Sequence, residues 1–216
     1  MSEKFHTELD ALKKDVQDMG KLARQMLWTS IEALKDRDVK KADWVASKKK
    51  ELADFDEHIE NEALKLIALH QPMAEDMRTI ATTLKLNTYL VRIGRYGKDI
   101  AKVAEELAGL NNMTKLVSIP YQGQIVCGMI DDALYAFETG DLSKLKDLTE
   151  REATVDALRY SIFRECVSYM MEDPKNITRC SHYIMVSRYL ERCGDHACKM
   201  SEKIHYMVTG ERVEIK

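Results

Sequence analysis

Two pairs of carboxylates stand out by type and spacing. Glu152 and Asp156 are four residues apart, and so are Glu191 and Asp195 in the run Leu190-Glu-Arg-Cys-Gly-Asp-His196. On an α-helix a four-residue step returns to the same face, so each pair projects in one direction. Where two such helices are neighbours, four carboxylates converge. That cluster cannot stay fully ionised without compensation, because like charges at contact distance repel. Three remedies exist: raised pKa values, arginine partners, or a bound cation. Arg159, Arg188 and Arg192 lie along the same stretches. Oxygen-rich ligation suits magnesium, iron, manganese or zinc, and carboxylates facing each other across helices are how bundles hold paired metals. The plainer alternative is that these pairs lie on solvated faces and meet Lys or Arg side chains. Asp132 is a further candidate contact.

Other chemistry is thinner. The five cysteines, Cys127, Cys166, Cys180, Cys193 and Cys198, are odd in number and contain no Cys-x-x-Cys pair, so they read as reduced, mostly buried thiols. His6, His58, His70, His182 and His205 have no Cys or second His three or four residues away. His196 follows Cys193 by three, yet one such pair is no site, and a surface histidine beside a packed thiol is the expectation. Joining the acids is its alternative, although its adjacency to Asp195 points it elsewhere on the helix. The twelve methionines, Met170 and Met171 included, read as core filler. No glycine-rich phosphate loop follows a strand.

The elements that must position these groups are helices. Hydrophobic residues make up 45% of the 216, aromatics only 7%, and there are just 9 Gly and 3 Pro to interrupt them. From Phe5 to Lys35 the residues Leu9, Leu12, Val16, Met19, Ala23, Met26, Ser30 and Ala33 step by alternating threes and fours, the seam of a helix lying along its neighbours. A second helix is expected from Val39 to His70 on Ala42, Val45, Lys49, Leu52, Asp56, Ile59, Ala63 and Leu66. A third runs from Pro72 to Gly109. Gly109 to Pro120 reads as the linker, Pro120 to Glu138 as the fourth helix, and Leu142 to Met171 as the fifth, with Glu152 on its seam. A sixth runs from Asp173-Pro174 to Thr209, stopped by Gly210. Gly194, beside the acids, is expected to permit close helix approach.

The chain repeats itself. The spacing from Met26 to Met129 recurs from Gly20 to Gly123, Ala33 to Ala136, Asp38 to Asp141, Leu52 to Val155, Ile59 to Ile162 and Glu62 to Glu165. At a slightly shorter spacing Leu90 meets Leu190, and Arg92-Ile93-Gly94 meets Arg192-Cys193-Gly194. Two copies of a three-helix unit follow, residues 1–110 and 117–212, each burying three amphipathic stripes together. Charge excludes some functions: the formal net charge is −3 with both signs interspersed, so no basic face offers itself to nucleic acid. No apolar run is long enough to span a bilayer, and the amino-terminal residues lack a signal-peptide core. A cytoplasmic protein is expected.

The stretch Arg188-Tyr-Leu-Glu-Arg-Cys-Gly-Asp-His-Ala197 resembles the Leu-Glu-Arg-Ile-Gly-Asp signature of the PhoU family, and Leu90-Val-Arg-Ile-Gly-Arg95 resembles it a second time. Gln71-Pro72, Tyr169-Met-Met-Glu-Asp-Pro174 and Tyr206-Met-Val-Thr-Gly210 carry the likeness along the whole chain. The resemblance implies an all-α, PhoU-like fold, two tandem three-helix bundles related by an internal pseudo-twofold. It implies a non-enzymatic regulator of phosphate uptake and phosphate-starvation signalling, an adaptor between the ATPase of an ABC-type phosphate transporter and a sensor histidine kinase. The implied protein is a homodimer, reaching the membrane only through its partners. It also implies metal on a Glu/Asp-x-x-x-Asp motif in each bundle. This chain departs from that in its first half, where Lys49, Ala53, Val91 and Arg95 stand at the positions matching Glu152, Asp156, Glu191 and Asp195. A divalent or trivalent ion (iron, zinc or magnesium) is therefore expected in the second bundle only. Lys49 and Arg95 either pair with Asp56 or Asp99 or are exposed. Two alternatives stay open: a metal-dependent bundle enzyme, oxidase or phosphatase, and a diverged paralogue with another partner.

Overall fold

The computed structural model describes residues 3–110 and 118–215, and every regular element among them is helical. They are α1 (Glu3–Asp36), α2 (Val39–Ser47), α3 (Lys49–His70), α4 (Ala74–Leu107), α5 (Ser118–Thr139), α6 (Leu148–Glu172) and α7 (Ile177–Thr209), with short 3₁₀ turns at Ser143–Leu145 and Pro174–Asn176. All eight seam residues expected on α1 are buried. The core is assembled from such stripes, with Leu12, Met19 and Met26 of α1 fully enclosed alongside Ile80, Leu86 and Leu90 of α4. Most of the expected linker, residues 111–117, lies outside the described residues.

Two expected helices are interrupted. The second breaks at Lys48, because the Ser47 hydroxyl donates to the Trp44 carbonyl and the Lys48 amide reaches back only to Val45. That tightened turn ends one α-helical ladder and starts another, with Lys48, Lys49 and Lys50 at the amino end of α3. The fifth opens with a 3₁₀ turn, held by the Asp141 carboxylate accepting from the amide and hydroxyl of Ser143, and is α-helical only from Leu148. The stop expected at Gly210 holds, and Gly140 is a second of the same kind. Gly140 and Gly210 take positive φ after α5 and α7 and donate back to Ala136 and Tyr206. Asp173 caps the turn before α7 by accepting from the Lys175 amide.

The two halves meet along α4 and α7. Arg78 donates to the Met207 carbonyl and Thr82 to that of Lys203, while Tyr89 stacks on His196 and Tyr96 on Tyr189. Rising numbers on α4 meet falling numbers on α7, so the helices are antiparallel, and they cross where Arg92-Ile93 faces Arg192-Cys193. Tyr89 corresponds to Tyr189 and Tyr96 to His196 in the repeat, so the two stacks are one contact made twice. The same exchange joins α1 to α5: a Cβ on Gly20 would strike the Leu134 side chain, and one on Gly123 would strike Ile31. Leu134 and Ile31 are themselves repeat equivalents. Each repeat thus offers a glycine to its copy and fills the copy's glycine with a branched side chain.

Some surface assignments change. His196 is buried, not superficial, because it lies in the seam between the repeats rather than on the face of one bundle. Met171 is 82% exposed and Met73 76%. Both sit at helix-to-helix corners, so these two are not core filler, unlike Met19, Met26, Met129, Met200 and Met207. All five cysteines are buried free thiols, as expected.

Candidate metal centre

Helix α6 carries Glu152 and Asp156, α7 carries Glu191 and Asp195, and the two helices pack directly on each other. Leu148, Val155, Ile162 and Cys166 are buried on α6, and Val186, Leu190, Cys193 and Ala197 are among the residues buried on α7. The acids ride on these apolar stripes and are half-buried by them. Gly194 does not enforce this approach, contrary to expectation: a Cβ there would make ordinary contacts, 3.6 Å to Val155 and 3.8 Å to Val126.

The acids share one field. Glu152 has its carboxyl pKa raised, first by burial and then by the negative charges of Asp156, Asp195 and Glu191. Arginines supply much of the compensation. Arg192 Nη1 donates to Asp195 Oδ2 at 2.8 Å, and Arg192 Nε lies 3.8 Å from Glu191 Oε2. Arg159, on α6, brings its Nε to 3.5 Å from Glu191 Oε1. Arg188 is exposed and makes no ion pair among the described residues. With the arginines in these places, no three His, Cys, Asp or Glu side chains among the described residues are drawn together tightly enough to hold an ion.

The compensation is incomplete. Glu191 is only 13% exposed at its side chain, its Oε2 is buried with no hydrogen-bond partner, and Arg159 Nε is likewise unsatisfied. A buried carboxylate oxygen without a donor is costly, on the order of 1–3 kcal/mol or more. An oxygen-seeking cation answers that need in a group where four acids face two arginines. The four carboxylates are the donor type that a hard or borderline metal takes, and Arg192, 43% exposed at its side chain, is paired with the Asp195 and Glu191 oxygens such an ion would need. Asp132 is not part of this set. It accepts from Arg151 Nη1 at 2.8 Å and lies 3.9 Å from Lys144, which commits it to the α5–α6 corner.

The matching place in the first bundle is reversed in character. Lys49, Leu52, Ala53 and Asp56 of α3 with Val91, Arg95, Lys98 and Asp99 of α4 line a cavity of about 390 Å³. Lys49 and Arg95 are exposed and form no ion pair among the described residues, so neither is neutralised by Asp56 or Asp99. Asp56 Oδ1 instead accepts from Asn87 Nδ2 at 2.8 Å. The spacing of His196 from Cys193 points to a surface histidine, which His196 is not. It sits between Tyr89 and Tyr96, its Nε2 unsatisfied, and burial with the charges of Arg92 and Arg192 lowers its pKa to about 4.

Fold and site together define a class: duplicated three-helix-bundle proteins with polar clusters where the last two long helices of each bundle pack. Within that class the assignment is specific. The PhoU domain matches residues 16–104 and again 121–204, and the chain belongs to the PhoU family. A phosphate-specific transport system accessory protein PhoU homolog of Caulobacter vibrioides is 38% identical, over 97% of this chain and 91% of its own length. The protein of that name from Rhizobium meliloti is 36% identical, over 95% and 87%. The crystal structure of PhoU from Pseudomonas aeruginosa superposes with a TM-score of 0.92 at 31% identity, covering 96% of this chain and all of that one. Among the described residues no helix is long and apolar enough to cross a membrane.

Proposed function

We propose that this chain is a cytoplasmic accessory regulator of phosphate uptake, a homodimeric adaptor that couples an ABC-type phosphate transporter to a sensor histidine kinase. The observation that carries the reading is end-to-end likeness, in both repeats, to proteins named as accessories of the phosphate-specific transport system. Each repeat, 1–110 and 117–212, contributes one bundle and one outer face. The long mixed-charge helices suit protein contact. Glu152, Asp156, Glu191 and Asp195 hold a metal ion in the second bundle, with Arg192 withdrawn. A cation held there would neutralise the acids and tie α6 to α7, a structural rather than a reactive duty. The experiment is co-purification of the full chain with the transporter ATPase and with the kinase, at high and at low phosphate. Phosphate-dependent association is expected. Association with neither partner under any condition overturns the reading.

A further inference from the structure

We propose that the first-bundle cavity binds a protonated oxyanion of the hydrogen-phosphate type, at the place where the second bundle keeps its acids. Charge reversal between the two repeats carries the idea. Lys49 stands where Glu152 does, Asp56 where Arg159 does, Arg95 where Asp195 does, and Asp99 where Lys199 does. The two remaining acids, Asp156 and Glu191, are replaced by Ala53 and Val91, which widen the wall without adding charge. A surface losing an obsolete site by drift would scatter its changes. Here four charged positions change sign together around one cavity of about 390 Å³, at the low end of small-ligand pockets.

The cations are available. Lys49, Arg95 and Lys98 carry no ion pair among the described residues. Lys49 also sits in the first turn of α3, beside Lys48 and Lys50, so three cations crowd the joint between α2 and α3. Asp56 and Asp99 in the same wall leave a surplus of one positive charge. They also set the selectivity. A carboxylate in an anion pocket repels a fully deprotonated oxyanion but accepts a hydrogen bond from one that keeps an O–H. Among the described residues no hydrogen bond already engages the Asp99 carboxylate; its charge is felt by Tyr189, whose pKa is raised by burial first and by Asp99 next. Hydrogen phosphate supplies the O–H at neutral pH and sulfate does not, and a site left with an unmet polar group rejects the analogue strongly. The inference rests on first-bundle residues and needs neither the metal nor the partners.

The test is calorimetric titration of the full chain, stripped of metal by chelator, with inorganic phosphate and separately with sulfate. One phosphate per chain is expected, with sulfate weaker by at least about tenfold. Lys49→Gln/Arg95→Gln, both exposed positions whose change leaves the helical signal intact, weakens phosphate by at least about tenfold. The phosphate titration is repeated on unstripped chain. Three results overturn the proposal: no binding to the stripped chain up to about 10 mM phosphate, about tenfold weaker than a 1 mM complex; sulfate binding equally well; or phosphate binding to the unstripped chain alone, which would assign it to a metal in the second bundle.

Discussion

Arg192 competes with any ion for the acids of α7. It reaches Asp195 at 2.8 Å and touches Glu191, so a metal must displace it or share both carboxylates with it. Arg192→Gln therefore raises metal affinity, and Glu191→Gln lowers it by at least about tenfold, as read by competition with a chromogenic chelator. Two titrations follow with opposite signs. Glu152 binds its proton more tightly folded than unfolded, so ionising it costs stability as pH rises from 4.5, its ordinary value, through the raised one. Glu152→Gln should therefore raise the melting temperature of the metal-free protein at pH 7 by about 1–3 °C, and not at pH 4. His196 runs the other way. Its folded pKa of about 4 lies below 6.5, so the unfolded chain takes up the proton first and stability is lost as pH falls across that window. The loss is on the order of 3 kcal/mol at most, and His196→Phe should remove it from the melting-temperature profile. The paired acids were legible in the sequence because i, i+4 spacing survives any packing. His196 was not, because its setting depends on Tyr89 and Tyr96 from a helix about a hundred residues away, and only the fold brings them together.

Helix by helix, the apolar seams were readable and the joints were not. The seam residues of α1 and α3 are buried as their spacing requires, except Lys49 and Asp56, which are the polar positions the first-bundle cavity uses. The break at Lys48 and the 3₁₀ start of the fifth segment escaped the periodicity, since each is set by a single hydroxyl or carboxylate, Ser47 or Asp141, capturing a backbone group. Glycines sort the same way. A Cβ on Gly97 would meet the backbone of α1, 2.9 Å from the Leu27 nitrogen and 3.0 Å from the Met26 carbonyl carbon, neither of which can swing aside. Gly97→Ala is thus expected to destabilise by about 1–3 kcal/mol or more in urea unfolding. Gly194→Ala is expected to be neutral or stabilising by up to about 1 kcal/mol, because alanine favours the helix and the space exists. Equal losses at the two sites would contradict the packing described for α1 against α4.

Across the whole molecule, duplication was visible because both repeats keep the same small and apolar residues at the same spacing. What sequence alone left open was how the copies use their equivalent clefts. With α4 and α7 antiparallel about Arg92 and Arg192, the two clefts stand in related positions, one acidic and one basic. The two proposals together give the molecule a cation site between α6 and α7 and an anion site between α3 and α4, with no residue in common. If the acids of α6 and α7 hold a metal and their basic counterparts hold none, the two bundles differ in what a crystal grown with metal shows. Anomalous scattering from crystals grown with saturating iron or zinc tests it directly. A peak is expected among Glu152, Asp156, Glu191 and Asp195, with Arg192 turned away and no peak between Lys49 and Arg95. A peak in the first bundle, or acids still clasped by Arg159 and Arg192 with no metal at saturation, would contradict it.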